Sequence, residues 1–270
     1  MLVGGFDGLH IGHRALLERA KKTGLPVGIT TISGGKGDDL FTFSERESIF
    51  RAFGADFAFE LPFAEIRELS AEAFCRMLVE KFHPQVFYCG EDFRFGKGAA
   101  GTPDFLEEAT QVRVEREPIH YLDGKKISAT RVKELLEAGN TTGAERLLGY
   151  PFFLEGVVET GRKIGRTMDF PTANIRYPSG KFPIKKAVYA ARAVLDGKEY
   201  QGIVNYGARP TFENSEVWTE SYFDGFSGDL YGKKLTVSFT RFLRETTKFA
   251  NVEELRKQLK TDIERVRNND

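Results

Sequence analysis

Val3-Gly4-Gly5-Phe6-Asp7-Gly8-Leu9-His10-Ile11-Gly12-His13 decides how the first half of this 270-residue chain is read. A glycine-rich turn leads into two histidines three residues apart, and the helical pattern Leu16, Leu17, Ala20 follows. That order sets backbone N–H groups and imidazole nitrogens where a helix begins. Unsatisfied amides and the helix dipole both favour negative charge there, so the turn suits a phosphate chain. Gly12 keeps side chains out of the phosphates' approach. His10 and His13 are expected to donate to phosphate oxygens, more strongly when protonated. Two histidines near a helix start are, on their own, more often surface or capping residues. The Gly-Phe-Asp-Gly lead-in behind a first strand reverses that preference.

Outward from this turn, strands and helices alternate. Leu2-Val3 and Val27–Ile32 read as buried strands around a helix from Gly12 to Lys22. Ser44-Glu45-Arg46-Glu47 has the form of a capping box, with Ile49, Phe50 and Phe53 as the apolar stripe behind it. Phe57–Leu61 reads as a strand, Ser70 as the cap of a helix carrying Phe74, Met77, Leu78 and Phe82 on one face, and Val86–Cys89 as a further strand. This rhythm predicts a Rossmann-like parallel sheet with helices on both faces, whose ligands bind at the carboxyl ends of the strands.

After Gly149-Tyr150-Pro151 the rhythm changes, which places a domain boundary at 150/151. Phe152–Glu159, Ala187–Leu195, Gln201–Tyr206, Val217–Phe223 and Leu235–Leu243 are strand-like, with Asp196-Gly197 as a hairpin turn. Short strands joined by such turns predict an antiparallel barrel. A last helix is expected, capped by Asn251 and Glu254, with Leu255, Leu259, Ile263 and Val266 facing inward.

Composition bounds the reading. A hydrophobic fraction of 41% supplies packed cores, which excludes a disordered chain. A formal net charge of zero argues against a broad nucleic-acid surface, so no nucleic-acid partner is expected. Cys75 and Cys89 lie in a helical and a strand pattern and are expected to be buried free thiols. No segment approaches the ~20 apolar residues that span a bilayer, and Met1-Leu2-Val3 runs straight into the motif. A cytoplasmic protein without membrane partners is expected.

Two more segments carry chemistry in the first half. Gly90-Glu91-Asp92-Phe93-Arg94-Phe95-Gly96 follows a strand, where an aromatic ring can stack on a ligand ring and a carboxylate can read a base or ribose. Ile127-Ser128-Ala129-Thr130-Arg131 opens a helix, gathering hydroxyls, amides and a guanidinium into a second phosphate cradle. His-x-Gly-His resembles the nucleotidyltransferase signature. The three segments together resemble the adenylyltransferase module of bacterial bifunctional riboflavin kinase/FAD synthetase. The resemblance implies transfer of AMP from ATP to FMN, with pyrophosphate released. His10 and His13 would contact the ATP phosphates, within a nucleotide site that also takes Gly4, Phe6, Asp7, Gly8 and Gly12. Asp92 would lie near the adenosine, Ser128, Thr130 and Arg131 would hold the triphosphate, and Phe93 and Phe95 would meet the flavin. Two departures stand out: Gly5 replaces the usual Asn-like residue, and Thr31-Ile32-Ser33-Gly34-Gly35-Lys36 lacks the family's Pro-His-Pro-like segment. Lys36 is a candidate for replacement charge.

In the second half, Gly165-Arg166-Thr167-Met168-Asp169-Phe170-Pro171-Thr172-Ala173-Asn174 combines a cationic glycine loop with Thr172 and Asn174. Two residues apart in an extended segment, these side chains share a face. Their neutral oxygens suit Mg²⁺ carrying nucleotide phosphates. Gly161, Gly165 and Arg166 would close over the phosphates. With Asn205-Tyr206-Gly207-Ala208-Arg209-Pro210-Thr211 and Glu220, the segment resembles the riboflavin kinase module. That resemblance implies a six-stranded antiparallel barrel with a terminal helix and Mg²⁺-ATP-dependent phosphorylation of riboflavin. Glu220 would be the catalytic base, Pro171 and Thr172 would belong to the nucleotide site, Thr172 and Asn174 would hold the metal, and Asn205, Arg209, Pro210 and Thr211 would contact the flavin. Asp169 stands where Gly is usual.

The expectation is therefore a bifunctional enzyme acting on ATP, riboflavin and FMN to give FAD, as a monomer or weak homo-oligomer. Its two domains would be residues 1–150 and 151–270. The alternatives are a riboflavin kinase with a weakened or regulatory amino-terminal half, and a non-catalytic flavin- or nucleotide-binding module.

Overall fold

Residues 1–159, 172–208 and 216–268 are described by a computed structural model. Residues Met1–Arg131 with Gly180–Phe182 form one compact unit, and Val132–Ser179 with Pro183–Asp270 form a second.

The first unit is a five-stranded parallel sheet in the order β3-β2-β1-β4-β5. Its strands are β1 (Leu2–Gly4), β2 (Gly28–Ser33), β3 (Phe57–Pro62), β4 (Val86–Gly90) and β5 (Arg113–Glu117). Between them run α1 (Ile11–Lys21), α2 (Phe43–Ala52), α3 (Phe63–Ile66), α4 (Ala71–Phe82) and α5 (Pro103–Thr110). The apolar strands find parallel partners in register, Leu2 with Ile29 and Tyr88, Phe87 with Val114. Phe74 and Leu78 of α4 bury completely against Val3, Phe87 and Cys89. Each such side chain stabilises the fold by about 1.5–3 kcal/mol relative to exposure. Both cysteines are buried free thiols; burial pushes Cys75 up to about 11 and Cys89 to about 12, which keeps them unreactive. The chain moves from β1 through β2 to β3 on one side and through β4 to β5 on the other, so the topological switch lies between β1 and β4.

One boundary differs from the sequence expectation. Helix α2 is capped by Thr42, not by Ser44: the Thr42 hydroxyl accepts from the Glu45 N–H, and the Glu45 carboxylate accepts from the Thr42 N–H at 2.8 Å. Ser44 lies within the first turn. The earlier start turns Glu45 and Arg46 into the interior, where both are 1% exposed and both find charged partners. A short antiparallel pair, β6 (Tyr121–Leu122) and β7 (Lys125–Lys126), precedes the Ser128 segment.

In the second unit, α6 (Ala129–Glu137, which begins at the end of the first) and α7 (Thr141–Leu148) precede a six-stranded antiparallel sheet. Its order is β8-β13-β10-β11-β12-β9, for β8 (Phe152–Val157), β9 (Ala173–Arg176), β10 (Ala187–Leu195), β11 (Lys198–Ala208), β12 (Val217–Phe223) and β13 (Lys234–Glu245). A bridge between Glu159 and Asn174 joins the two edges, so the sheet nearly closes into a barrel. Asp196 and Gly197 both have positive φ, 50° and 81°, which matches the twist of the tight hairpin between β10 and β11. Helix α8 (Val252–Arg267) lays Ile263 and Val266 on Val188, Ala190, Ile203 and Leu243. The Asn251 side chain caps it, accepting from the Glu254 N–H. Arg244 reaches the fully buried Asp262 carboxylate with three N–H···O bonds of 2.8–3.1 Å, so that charge is buried with its partner. No helix among the described residues is long and apolar enough to cross a membrane.

Candidate active sites

The turn after β1 is held from beneath by charge. Asp7 is 8% exposed, and both its oxygens accept the Leu40 N–H, at 2.8 and 3.1 Å. The buried Arg46 guanidinium lies 3.6 Å from Asp7, pairs with Asp39, donates to the Phe41 carbonyl at 3.0 Å and to the Thr31 hydroxyl at 3.0 Å. Thr31 in turn donates to the Gly5 carbonyl at 2.7 Å. Lys181, 2% exposed, completes the cluster by bonding Glu45 at 2.6 Å and lying 4.5 Å over the Phe41 ring. Charges buried this deeply persist only in pairs. Held in this way, the turn carries two non-glycine residues with positive φ, Phe6 at 36° and Leu9 at 35°. Such conformations cost free energy and survive where surroundings over-determine them.

His10 caps α1: its Nδ1 accepts the His13 N–H at 3.3 Å. A neutral His10 ring therefore carries its proton on Nε2, where it can donate outward. The two imidazoles stack at 3.5 Å, and the Phe6 ring meets His13 edge-on at 5.0 Å. Burial pushes His10 down to about 4 and, with the neighbouring His10 ring, pushes His13 well below its ordinary value. Both rings are thus held toward the neutral form, in which an imidazole donates from a single N–H. Desolvation outweighs any gain from charging two rings in contact. His13 Nδ1 is buried without a hydrogen-bond partner among the described residues. A β-carbon on Gly12 would come within 3.4 Å of His10 and of His120 Cβ, so glycine allows this close approach.

Of the other predicted segments, Asp92 lies close enough to act on the charge of His10, as does Lys126. Asp92, exposed just beyond β4, pairs with Lys126 of β7. The Ser128 hydroxyl accepts the Arg131 N–H at 3.3 Å, as a helix cap does. Arg131 donates to the Leu122 and Lys125 carbonyls at 3.0 and 3.1 Å, which ties down the β6–β7 hairpin. Thr130 is exposed. Phe93 is half-buried, whereas Phe95 is 5% exposed and packs on Phe74 and Phe93 at 5.0 and 5.4 Å. The Phe95 ring is a core element: Gly101 lies so close that a β-carbon there would sit 2.3 Å from it. Its expected place against a flavin ring is corrected accordingly. Lys36 is exposed in the loop after β2.

In the second unit, strand register assembles the candidates. Glu220 on β12 stands opposite Asn174 on β9 and opposite Asn205 on β11. Directly paired residues project to the same face of a sheet, so a carboxylate and two amides converge. Glu220 is exposed, Asn174 is 3% exposed, and the Asn174 amide donates to the Thr172 carbonyl at 3.4 Å. The buried Asn205 Oδ1 has no hydrogen-bond partner among the described residues. No cluster of three His, Cys, Asp or Glu side chains able to hold a metal occurs among the described residues. Gly161, Gly165, Arg166, Asp169, Pro171, Arg209, Pro210 and Thr211 lie outside them.

Two family models match consecutive parts of the chain: FAD synthetase over residues 1–131 and riboflavin kinase over residues 148–269. The bifunctional riboflavin kinase/FMN adenylyltransferase of Pseudomonas fluorescens is 33% identical over 97% of this chain and 89% of its own length. That of Haemophilus influenzae is 31% identical over 98% and 92%. The chain belongs to the bifunctional riboflavin kinase/FMN adenylyltransferase family. A crystal structure described as a macrolide-efflux protein from Streptococcus pneumoniae has the same fold, with a TM-score of 0.84 at 27% identity, covering 99% of this chain and 93% of that one.

Within this family member, sequence reasoning overlooked the groups that fix the first site. Arg46 and Glu45 were read only as part of a capping pattern, and Lys181 lies 135 positions after Arg46 with no local signal. His120 was overlooked as well. It is one of four histidines in the chain, which was the available signal.

Proposed function

We infer that the chain carries both activities of its family: it phosphorylates riboflavin with ATP to give FMN, and adenylylates FMN with a second ATP to give FAD and pyrophosphate. The observation that carries this reading is the pair of family models falling in sequence on the two halves of one chain. A kinase acting alone would leave the first match unused, and a passive binding module would need neither.

For the first step, Glu220 takes the proton from the terminal ribityl hydroxyl as its oxygen attacks the γ-phosphorus and ADP departs. Support comes from its register opposite Asn174 and Asn205. Thr172 and Asn174 present the neutral oxygens that fit Mg²⁺ carrying nucleotide phosphates, and Mg²⁺ when bound offsets their charge. Asn205 Oδ1, buried without a partner among the described residues, is suited to accept from a flavin N–H or hydroxyl. Gly161, Gly165, Arg166 and Pro171 complete the nucleotide side, and Arg209, Pro210 and Thr211 the flavin side.

For the second step, an FMN phosphate oxygen attacks the α-phosphorus of ATP and pyrophosphate leaves. His10 and His13 serve as neutral donors at the amino end of α1, beside the backbone amides of Gly12 and its neighbours. Ser128, Thr130 and Arg131 hold the far end of the triphosphate, Asp92 the adenosine side, and Phe93 the flavin. Gly4, Phe6, Asp7 and Gly8 shape the turn beneath. We assign residues 1–150 and 151–270 to the two catalytic domains of a cytoplasmic, monomeric or weakly self-associating enzyme.

The test is chromatographic separation of riboflavin, FMN and FAD after incubation with riboflavin, ATP and Mg²⁺. FMN and FAD together are expected. FMN without FAD would overturn the adenylyl step, and no conversion would overturn both.

A further inference from the structure

His10 and His13 stack on each other at the start of α1, and a third imidazole adjoins the same helix start. His120 lies there. It follows the carboxyl end of β5, and its Cβ is 3.4 Å from the position a Gly12 β-carbon would take, which seats it against the first turn of α1. Its carbonyl accepts the Ile127 N–H at 2.9 Å, so the same residue adjoins the Ser128 cradle. Its Nε2 lies 2.8 Å from Glu117 Oε1. An ionised carboxylate only accepts, so Nε2 carries a proton there.

Glu117 is itself built in. It is 9% exposed, and its second oxygen accepts from Arg19 Nη1 at 3.0 Å. Arg19 belongs to α1 and also donates to the Arg116 carbonyl at 3.0 Å, clamping the helix to the end of β5. An imidazole fixed by a buried carboxylate has a set orientation and one nitrogen left for chemistry. That nitrogen, Nδ1, has no partner among the described residues. The His120 side chain is 39% exposed, which leaves it open to a ligand.

We propose that His120, oriented by Glu117, is a third phosphate-binding imidazole of the first unit and binds the pyrophosphate end of ATP. The proposal rests on the reading of that unit as an adenylyltransferase. The ring donates to Glu117 from Nε2, and Nδ1 shares a proton with a phosphate oxygen. As the FMN oxygen bonds to the α-phosphorus, the bond from that phosphorus to the α–β bridging oxygen breaks. The electron pair leaves on pyrophosphate, whose oxygens His120 holds. Lys126 and Asp92, which also act on the charge of His10, pair with each other.

The reverse reaction, FAD plus pyrophosphate giving FMN and ATP, reads this contact directly. His120→Gln is expected to raise the KM for pyrophosphate about tenfold, the scale of one hydrogen bond to a charged group, with the KM for FAD within twofold of wild type. His120→Lys, which supplies N–H donors to phosphate, is expected to recover most of the loss. An unchanged pyrophosphate KM in His120→Gln would overturn the proposal. So would an equal rise in both KM values without rescue by lysine, which marks a structural role. Wild-type protein that interconverts neither FMN and ATP with FAD nor the reverse would overturn the adenylyltransferase reading itself, and this inference with it.

Discussion

The two candidate sites are held by different physical means. In the first unit, a turn with two positive-φ residues rests on interlocked charges: buried Asp7 and Glu45 with half-buried Asp39, against buried Arg46 and Lys181. The second unit places Glu220, Asn174 and Asn205 by ladder register, which the backbone supplies whatever the side chains are. A missing partner in the first network leaves an uncompensated charge in the interior. A missing side chain on the barrel face leaves the strands where they were. Substitutions in the first site should therefore act through position and stability, and those in the second through chemistry.

The largest expected effect falls on the barrel. Glu220→Gln should lower FMN formation by roughly 10²–10⁴-fold, the usual contribution of a general base, while thermal unfolding stays near wild type. A stability loss comparable to that of an interior variant would erase the contrast between the units. Next comes Arg46→Met, which strips Asp7 and Asp39 of their buried cation. It should destabilise the first unit by about 3–5 kcal/mol, seen in urea unfolding, and cut FAD formation while FMN formation continues. A smaller effect follows from pH. His10 is pushed down to about 4 in the folded protein against an ordinary 6.5. The unfolded chain binds the proton more tightly, so the stability at stake is present above pH 6.5 and is lost as pH falls towards 4. Complete loss corresponds to roughly 3 kcal/mol. Urea midpoints measured between pH 7 and pH 4.5 should fall for the first unit more steeply than for the barrel.

Much of the fold was legible because its signals are local. Asp196-Gly197 announces a hairpin through the φ values both residues accept, and Asn251 with Glu254 announces α8 through one capping bond. Strand β5 was missed because Arg113-Val114-Glu115-Arg116-Glu117 hides its alternation under charge. Those charges are spent on Arg19, Glu107 and Asp104. The start of α2 was misplaced by two residues because Thr42 and Ser44 are both competent caps. Burial of Glu45 and Arg46 against partners distant in sequence settles the choice. The candidate site divides the same way. His10, His13 and Ser128 advertise themselves by spacing, while His120, Glu117 and Lys181 gain meaning through contacts that no window of sequence contains. Phe95 erred in the other direction: an aromatic in a ligand-like motif was needed by the core.

The central claim is that one chain holds two independent sites acting in series. Complementation tests it most directly, using Glu220→Gln and His10→Ala incubated separately and together with riboflavin, ATP and Mg²⁺. Glu220→Gln alone should give little FMN or FAD from riboflavin yet convert supplied FMN to FAD, and His10→Ala alone should stop at FMN. The mixture should restore FAD. A mixture of folded variants that makes FMN but no FAD, or a Glu220→Gln protein unable to adenylylate supplied FMN, would contradict the account.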